Sequence, residues 1–321
     1  MKNSRNIQEI AKSTINKESE AISELVNAID ENFVNCVELI LKSKGRVIVT
    51  GIGKSAIIGS KLVATLNSTG TPSVFMHAAD AIHGDLGTIQ KEDIVICLSK
   101  SGETPEIKVL VPLLKLHGSS LIAIVGNKES YLSKQADFII DASVREEACP
   151  NNLAPTSSTT AQLVLGDALA VCLLECRGFT KDDFAKFHPG GSLGKELYLK
   201  VSDLSTNNQV PKVNVNDTIK SVILEISSRR LGATAVLDGD NLAGIITDGD
   251  LRRMLEKNVD FKQFSARDIM SKDPKTIEPD ELVVNALTIM RRNNITQLLV
   301  VENRKYLGVI HIHDILKEGI L

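Results

Sequence analysis

The stretch VTGIGKSA, Val49–Ala56, joins an apolar run to a glycine-rich turn that is followed by a lysine and a serine. Such a run and turn are typical of a strand that leads into a helix, and the backbone N–H groups at that junction commonly bind a phosphate. Lys54 would stand at the helix N-terminus, where a cation opposes the helix dipole. A bound anion explains this lysine better than a turn without a ligand, so the stretch predicts an anion site.

The spacing of the glycines tests two nucleotide motifs. A P-loop requires G-x-x-x-x-G-K-[ST], and its first glycine would fall at Ile48, inside the strand. The dinucleotide fingerprint G-x-G-x-x-[GA] fits Gly51, Gly53 and Ala56. It also needs an acidic residue at the end of the next strand, and the next apolar run, SVFMH, ends without one. The spacing therefore excludes a P-loop and disfavours a dinucleotide.

Similar short apolar runs recur along the chain and alternate with segments of helical periodicity. The runs are RVIVTG, SVFMH, DIVICLS, SLIAIVG and ADFIIDA. Near-continuous apolar strands separated by helices are typical of a parallel sheet covered on both faces. We therefore predict a doubly wound, five-stranded α/β domain of the flavodoxin-like type, preceded by one or two amphipathic helices over residues 7–41. Ligands of such folds bind at the carboxyl ends of the strands.

The last part of the chain contains an internal repeat. NLAGIITDGDLRRML matches KYLGVIHIHDILKEG at a constant offset of 64 residues, which aligns Thr247 with His311 and Asp250 with Asp314. A small unit that occurs twice usually buries its apolar face against its twin. We predict a first domain at residues 1–203, a polar linker at 204–210, and α+β repeats at 211–265 and 266–321.

The composition limits the kinds of partner. Hydrophobic residues make up 43% of the chain and charged residues 24%, aromatic residues are only 3%, and the net charge is −3. We therefore expect neither a nucleic-acid nor a membrane partner. The N-terminus is polar, no apolar run approaches the length of a membrane span, and the five cysteines form no C-x-x-C pair. These features predict a cytoplasmic protein with reduced thiols.

Two hydroxyl-rich segments precede predicted helices. CLSKSGETPEI places Ser99, Ser101 and Thr104 around a glycine, and APTSSTT places Ser157 and Ser158 at a later helix start. A helix N-cap needs only one Ser or Thr, and hydroxyls together with free backbone N–H groups suit an anion. Two such helix starts at the same edge of the sheet predict a small phosphorylated ligand, such as a sugar phosphate.

Several motifs together carry a family resemblance. The S-x-SGET-x-E segment, the Gly-Lys turn and EACP…LAPTSSTT…GDALA resemble a SIS (sugar isomerase) domain, and the repeats with TDGDLRR resemble a pair of CBS domains. With AIHGDLG and FHPGGSLG in their expected places, the whole chain resembles the D-arabinose 5-phosphate isomerase family. The resemblance implies interconversion of D-ribulose 5-phosphate and D-arabinose 5-phosphate without a cofactor, for the synthesis of 3-deoxy-D-manno-octulosonate and lipopolysaccharide. It also implies a homotetramer.

Aldose–ketose isomerisation through an enediolate needs a base, an acid/base for ring opening, and a cation or donor for the enediolate oxygen. The resemblance assigns these functions to four residues. Glu147 is expected to be the proton-transfer base and His188 to open the sugar ring. Lys54 would neutralise the enediolate or orient the sugar, and Glu106 is placed among the functional acids. How the roles divide among the four stays open.

The expected substrate shell is wider. It comprises the hydroxyls already described together with Gly53, Ser55, Gly70, Thr71, His77 and His83. The two histidines could bind zinc, but their spacing fits no structural zinc motif. We interpret them as contacts to substrate hydroxyls that bind zinc only as an inhibitor, and we expect no metal requirement.

The CBS pair predicts a second function. By resemblance, a nucleotide or nucleotide-sugar would lie near Thr247, Asp250, Asp268, His311 and Asp314. The second copy carries His311 where the hydroxyl residue is expected, which departs from a symmetric adenosine-nucleotide pair, and the repeats could instead serve only assembly. Two alternatives to the main function stay open, namely a sugar-phosphate-responsive regulator and an isomerase of another phosphosugar.

Overall fold

The computed structural model describes residues 4–256 and 263–320. The contacts between residues divide the chain into two units, the first up to Phe187 and the second from His188 onward. The first unit contains α1 (Ser4–Glu24), α2 (Glu31–Lys42), β1 (Val47–Gly51), α3 (Lys54–Ser68), β2 (Ser73–His77), α4 (Ala78–Ala81), β3 (Ile94–Ser99), α5 (Pro105–His117), β4 (Ser120–Val125), α6 (Tyr131–Gln135), β5 (Phe138–Asp141), α7 (Ser157–Cys176) and α8 (Lys181–Phe187). Short 3-10 turns lie at Leu25–Ala28 and Asp85–Thr88.

The five strands of the first unit form a parallel sheet in the order β2-β1-β3-β4-β5. Both faces of the sheet are covered: one apolar core contains residues of α2, α3 and α7, and the other contains residues of α4 and α5. The prediction of a doubly wound five-stranded sheet is confirmed. The strand order reverses between β1 and β3, and such a switch point opens a crevice at the carboxyl ends of the two strands.

Helix α7 is the most apolar long helix of the described chain. At 20 residues it is long and apolar enough to span a membrane by length and composition alone, so the expectation that no segment approaches this length was wrong. Leu165, Leu169 and Leu173 of α7 are buried in the core of the first unit. A helix that packs against a sheet and other helices acquires this composition without a membrane.

The second unit contains α9 (Ser192–Tyr198), α10 (Val201–Ser205), β6 (Lys212–Asn214), α11 (Ile219–Arg229), β7 (Ala233–Asp238), β8 (Asn241–Thr247), α12 (Asp248–Glu256), α13 (Ala266–Ile269), β9 (Thr276–Ile277), α14 (Val283–Asn293), β10 (Gln297–Glu302), β11 (Lys305–His311) and α15 (Ile312–Lys317). The strands form two three-stranded sheets, β6-β7-β8 and β11-β10-β9. The antiparallel pair of each sheet has a register shift at equivalent positions, Val236/Leu237 and Val300/Val301. The two copies therefore repeat the same backbone irregularity.

Each repeat is completed by a helix that precedes the other repeat in the chain. Val201 and Leu204 of α10 lie in the core of the second repeat, whereas Ala266 of α13 lies in the core of the first. The segment predicted as a linker, 204–210, thus begins inside α10. Asn208 further ties this segment to the second repeat, because its side-chain amide donates to Val309 O at 3.0 Å and to Asp314 Oδ2 at 2.6 Å.

This exchange of helices predicts which repeat is destabilised when a side chain of α10 is shortened. Val201→Ala should destabilise the second repeat by about 2 kcal/mol, because it removes buried methyl groups from a packed core. Hydrogen exchange should then become faster in β10 and β11, with β3 and β4 unchanged. Val210→Ala is the matched control, because Val210 is 42% exposed. Equal protection of β10 and β11 in both variants would contradict the exchange.

Candidate functional site

The switch point of the sheet opens into a cavity of about 240 Å³. Its polar lining comes from three places. They are the start of α3 (Lys54 and Ser55), the end of β3 with the loop after it (Ser99, Lys100, Ser101 and Thr104), and the first turn of α7 (Thr159). Strands β1 and β3 are neighbours in the sheet, which brings the first two places together. The cavity thus contains the Gly-Lys turn and the first hydroxyl-rich segment that the sequence singled out.

The turn before α3 has the geometry of an anion site. Gly53 is the N-cap residue of the helix, with φ of 59°, and it has no side chain to cap the first N–H groups of α3. A side chain at this left-handed position would be strained. Lys54 follows at once and is exposed to the cavity side. Free N–H groups at a helix start attract negative charge, and the adjacent ammonium adds to that attraction.

The loop after β3 is shaped by its own hydroxyls. Ser99 Oγ accepts a hydrogen bond from the Gly102 N–H at 3.0 Å, and Ser101 Oγ accepts one from the Glu103 N–H at 3.2 Å. Gly102 has φ of +66°, and a Cβ there would lie 2.1 Å from Ser130 Oγ. The hydroxyl of Thr104, the N-cap residue of α5, makes no capping hydrogen bond. Thr104 and the first turn of α5 are therefore available to a ligand.

Glu147 is the most buried acidic residue near the cavity, with 1% of its surface exposed. Its Oε2 accepts hydrogen bonds from the Thr156 N–H at 2.7 Å, the Ser158 N–H at 3.1 Å and the Thr156 hydroxyl at 3.2 Å. Its Oε1 accepts one from the Ser158 hydroxyl at 2.5 Å. The carboxylate thus caps the N-terminus of α7 from outside the helix.

Lys100 supplies the charge opposite Glu147. Its Nζ lies 2.6 Å from Glu147 Oε1, and the lysine side chain also lines the cavity, 44% exposed. Burial raises the pKa of Glu147, but the Lys100 ammonium and the donors from Ser158 and Thr156 outweigh it and lower the pKa to about 2. Glu147 is therefore ionised at neutral pH. Lys100 could not be recognised from the sequence, because a lysine between two serines is typical of a solvated loop.

The serines of the second hydroxyl-rich segment hold Glu147 and its neighbour in place and do not line the cavity. Ser157 and Ser158 are both buried. Ser157 Oγ accepts from the Ala148 N–H at 3.1 Å, and Ser158 bonds to Glu147. Of this segment, Pro155 and Thr159 reach the cavity lining.

Three further predicted residues lie at the same edge of the sheet. Glu106 is half-buried in the first turn of α5, outside the cavity lining. His77 ends β2, and its Nδ1 accepts from the Ala79 N–H at 3.3 Å, while His83 is exposed in the following turn. Among residues 4–256 and 263–320, no group of three or more His, Cys, Asp or Glu side chains could hold a metal ion.

Gly70 and Thr71 lie at the opposite edge of the sheet, between the end of α3 and the start of β2. A Cβ on Gly70 would meet the Phe179 ring at 2.6 Å. Thr71 is buried and its hydroxyl accepts a hydrogen bond from Arg177. Within one chain these two residues are therefore separate from the cavity.

His188 is the first residue of the second unit, so the first unit contains Lys54, Glu106 and Glu147 of the four expected catalytic residues.

In the repeats, the residues that we expect to bind a nucleotide form helix caps. Asp250 Oδ2 accepts from the Thr247 hydroxyl at 2.6 Å and from the Thr247 N–H at 2.8 Å. Asp314 accepts from the His311 N–H at 3.1 Å, and Asp268 accepts from the N–H and hydroxyl of the residue three before it, both at 2.7 Å. These carboxylates complete helix starts, and nucleotide binding at them stays a prediction.

Comparison with known proteins agrees with this architecture. The SIS domain model matches residues 39–172, and the CBS domain model matches residues 201–257 and 266–320. Arabinose 5-phosphate isomerase KdsD of Pseudomonas aeruginosa is 48% identical over 314 residues, which cover 97% of this chain and 96% of that protein. The chain belongs to the arabinose 5-phosphate isomerase family. It is an enzyme, an isomerase with a SIS domain and a CBS pair.

Other relatives fit the same assignment. Arabinose 5-phosphate isomerase KdsD of Escherichia coli K12 is 45% identical over 317 residues, covering 98% of this chain and 96% of that protein. The solved structure of E. coli CFT073 c3406 in complex with arabinose 5-phosphate has a TM-score of 0.57 at 40% identity, and covers 58% of this chain and 100% of that one. A sugar-phosphate isomerase structure from Listeria monocytogenes has a TM-score of 0.57 at 38% identity, covering 59% of this chain and 100% of that one.

The buried carboxylate of this isomerase predicts a dependence of stability on pH. The pKa of Glu147 is lowered from 4.5 to about 2 in the fold, so its contribution is complete above about pH 4.5 and is lost as the pH falls toward 2. Glu147→Gln should destabilise the first unit at pH 7 by about 1.5–3 kcal/mol, the range for hydrogen bonds to a charged group. The difference from the wild type should shrink below about pH 4.5.

Thermal unfolding of wild type and variant at several pH values measures this difference. Glu146→Gln is the matched control, because the Glu146 side chain is 54% exposed and pairs with Lys17 at the surface. An exposed pair contributes about 0–1 kcal/mol. A Glu147→Gln deficit that stays constant from pH 7 to pH 3 would show that the native carboxylate does not carry the stabilisation.

Proposed function

We propose that this isomerase interconverts D-ribulose 5-phosphate and D-arabinose 5-phosphate through an enediolate. The observation that carries the proposal is the cavity at the switch point, which has two lysines, several hydroxyl side chains and an ionised buried carboxylate at its edge. Its volume of about 240 Å³ suits a small phosphorylated sugar. Relatives named arabinose 5-phosphate isomerase, and a related structure in complex with arabinose 5-phosphate, support the choice of pentose.

The phosphate group would lie against the starts of α3 and α5. The backbone N–H groups of Gly53, just before α3, and of Ser55, in its first turn, would face the phosphate, and Ser101 and Thr104 precede α5. Helix N-termini and hydroxyls bind phosphate without requiring a nucleotide base. This arrangement leaves the sugar carbons to extend from the helix starts toward Lys54 and the Glu147 region.

The chemical step would move a proton between carbon 1 and carbon 2 of the open-chain sugar. Glu147 is ionised and can accept a proton, and Glu106 in the first turn of α5 is the alternative base. Lys54 would stabilise the negative charge that develops on the enediolate oxygen, since a positioned ammonium favours that charge. His188 is proposed to open the sugar ring.

Other elements of the proposal rest on the family resemblance. The reaction would need no cofactor or metal, with His77 and His83 binding zinc only as an inhibitor. The product would feed the synthesis of 3-deoxy-D-manno-octulosonate and lipopolysaccharide. A homotetramer in the cytoplasm and a nucleotide ligand of the CBS pair are proposals of the same kind.

An isomerisation assay in D2O tests the reaction. The purified protein should convert ribulose 5-phosphate into arabinose 5-phosphate with EDTA present, and should leave glucose 6-phosphate and fructose 6-phosphate largely unchanged. Deuterium should accumulate at carbon 2 of arabinose 5-phosphate, because the base exchanges its proton with solvent. Turnover of hexose phosphates alone would contradict the substrate. Equilibrated product without deuterium would contradict the enediolate.

The same assay assigns the base. Loss of a general base typically lowers turnover by about 10²–10⁴-fold, so Glu147→Gln should show this loss at a temperature where the variant is folded. Glu106→Gln should be compared with it, and Glu146→Gln is again the control. If Glu147→Gln turns over normally and Glu106→Gln does not, Glu106 is the base.

A further inference from the structure

The ion pair between Lys100 and Glu147 joins the cavity to the buried acid. Lys100 follows the last residue of β3, and its backbone is fixed, because Lys100 O accepts a hydrogen bond from the Gly126 N–H at 3.1 Å. Its side chain extends along the cavity wall, and Nζ ends 2.6 Å from Glu147 Oε1. The ammonium therefore stands between the space for a ligand and a carboxylate that is nearly closed to solvent.

The two groups differ in how firmly they are held. Glu147 is bonded to the N–H groups and hydroxyls of Thr156 and Ser158 as well as to Lys100. The Lys100 side chain is 44% exposed and rotates about four side-chain bonds. Because the carboxylate keeps its other donors when the lysine leaves, the ammonium can change partner while Glu147 stays in place.

A phosphorylated ligand would compete for this ammonium. A phosphate monoester carries a charge of about −1.5 to −2 at pH 7, more than the single charge of Glu147. We propose that Lys100 is a substrate-binding and positioning residue that pairs with Glu147 in the free enzyme and transfers to the phosphate when substrate enters the cavity. The transfer would leave Glu147 without its ionic partner and so a stronger base. This inference rests on the proposed function for the identity of the substrate.

The exchange makes two predictions of opposite sign for the binding of inorganic phosphate, measured by calorimetry on the full chain. Lys100→Met should weaken phosphate binding by at least about tenfold, as expected for the loss of a charge-assisted hydrogen bond. Glu147→Gln should tighten it, by about threefold or more, since the lysine is then released from its competitor. Lys100→Arg keeps the charge and should restore most of the affinity.

A double-variant cycle separates exchange from simple charge repulsion. In the Lys100→Met background, Glu147→Gln should change phosphate affinity much less than it does in the wild type, because the group for which the two anions compete is absent. The double variant carries neither member of the pair, so it leaves no unpaired buried charge. Lys128→Met is the matched control, because Lys128 pairs with Asp141 at 3.0 Å and lies outside the cavity lining.

The KM of each variant should change in the same direction as its dissociation constant for phosphate. The KM for arabinose 5-phosphate should rise in Lys100→Met in step with the phosphate dissociation constant. Equal phosphate affinity in the wild type, Lys100→Met and Lys128→Met, or weaker binding in Glu147→Gln, would overturn the exchange and leave Lys100 a structural partner of Glu147. A wild-type protein that binds phosphate but does not isomerise pentose phosphates would refute the proposed function alone, since the phosphate affinities still decide the role of Lys100.

Discussion

The carboxylate of Glu147 connects segments that are far apart in the sequence. It caps α7, fixes the segment after β5 and pairs with a lysine from the loop after β3. Transferring a carboxylate from water into the protein interior is unfavourable unless hydrogen-bond donors satisfy its oxygen atoms. The surrounding hydroxyls and N–H groups meet this condition, which is why Ser158 and Thr156 are arranged around it. The cavity wall on this side thus depends on one satisfied charge.

The other side of the cavity depends on the sheet. The order β2-β1-β3-β4-β5 places the ends of β1 and β3 side by side, and each strand leads through a short turn into a helix. Two helix N-termini without side-chain caps therefore meet at one point. Their dipoles favour an anion there, while Lys54 and Lys100 add full charges. A third helix, α7, has its N-terminus already neutralised by Glu147. The site thus combines a resident anion with space for a second one.

Much of this could be predicted from the sequence because the signals are local. Apolar runs of five to seven residues indicated the strands, and the glycines of the two segments singled out as anion sites, Gly53 and Gly102, have positive φ. Hydroxyls at helix starts were ambiguous, because a serine there can bind a ligand or the protein itself: Ser157 and Ser158 contact the segment around Glu147. The pairing of Lys100 with Glu147 joins residues 47 positions apart in the chain. Only the fold brings them together, so no local pattern revealed it.

We expect the phosphate of a pentose phosphate to bind between the starts of α3 and α5. A crystal structure of the enzyme with arabinose 5-phosphate tests it most directly. The phosphate should lie within hydrogen-bond distance of the Thr104 hydroxyl and of N–H groups in the first turn of α3 or α5. A phosphate bound away from both helix starts, for instance beside Thr71 at the opposite edge of the sheet, would contradict it.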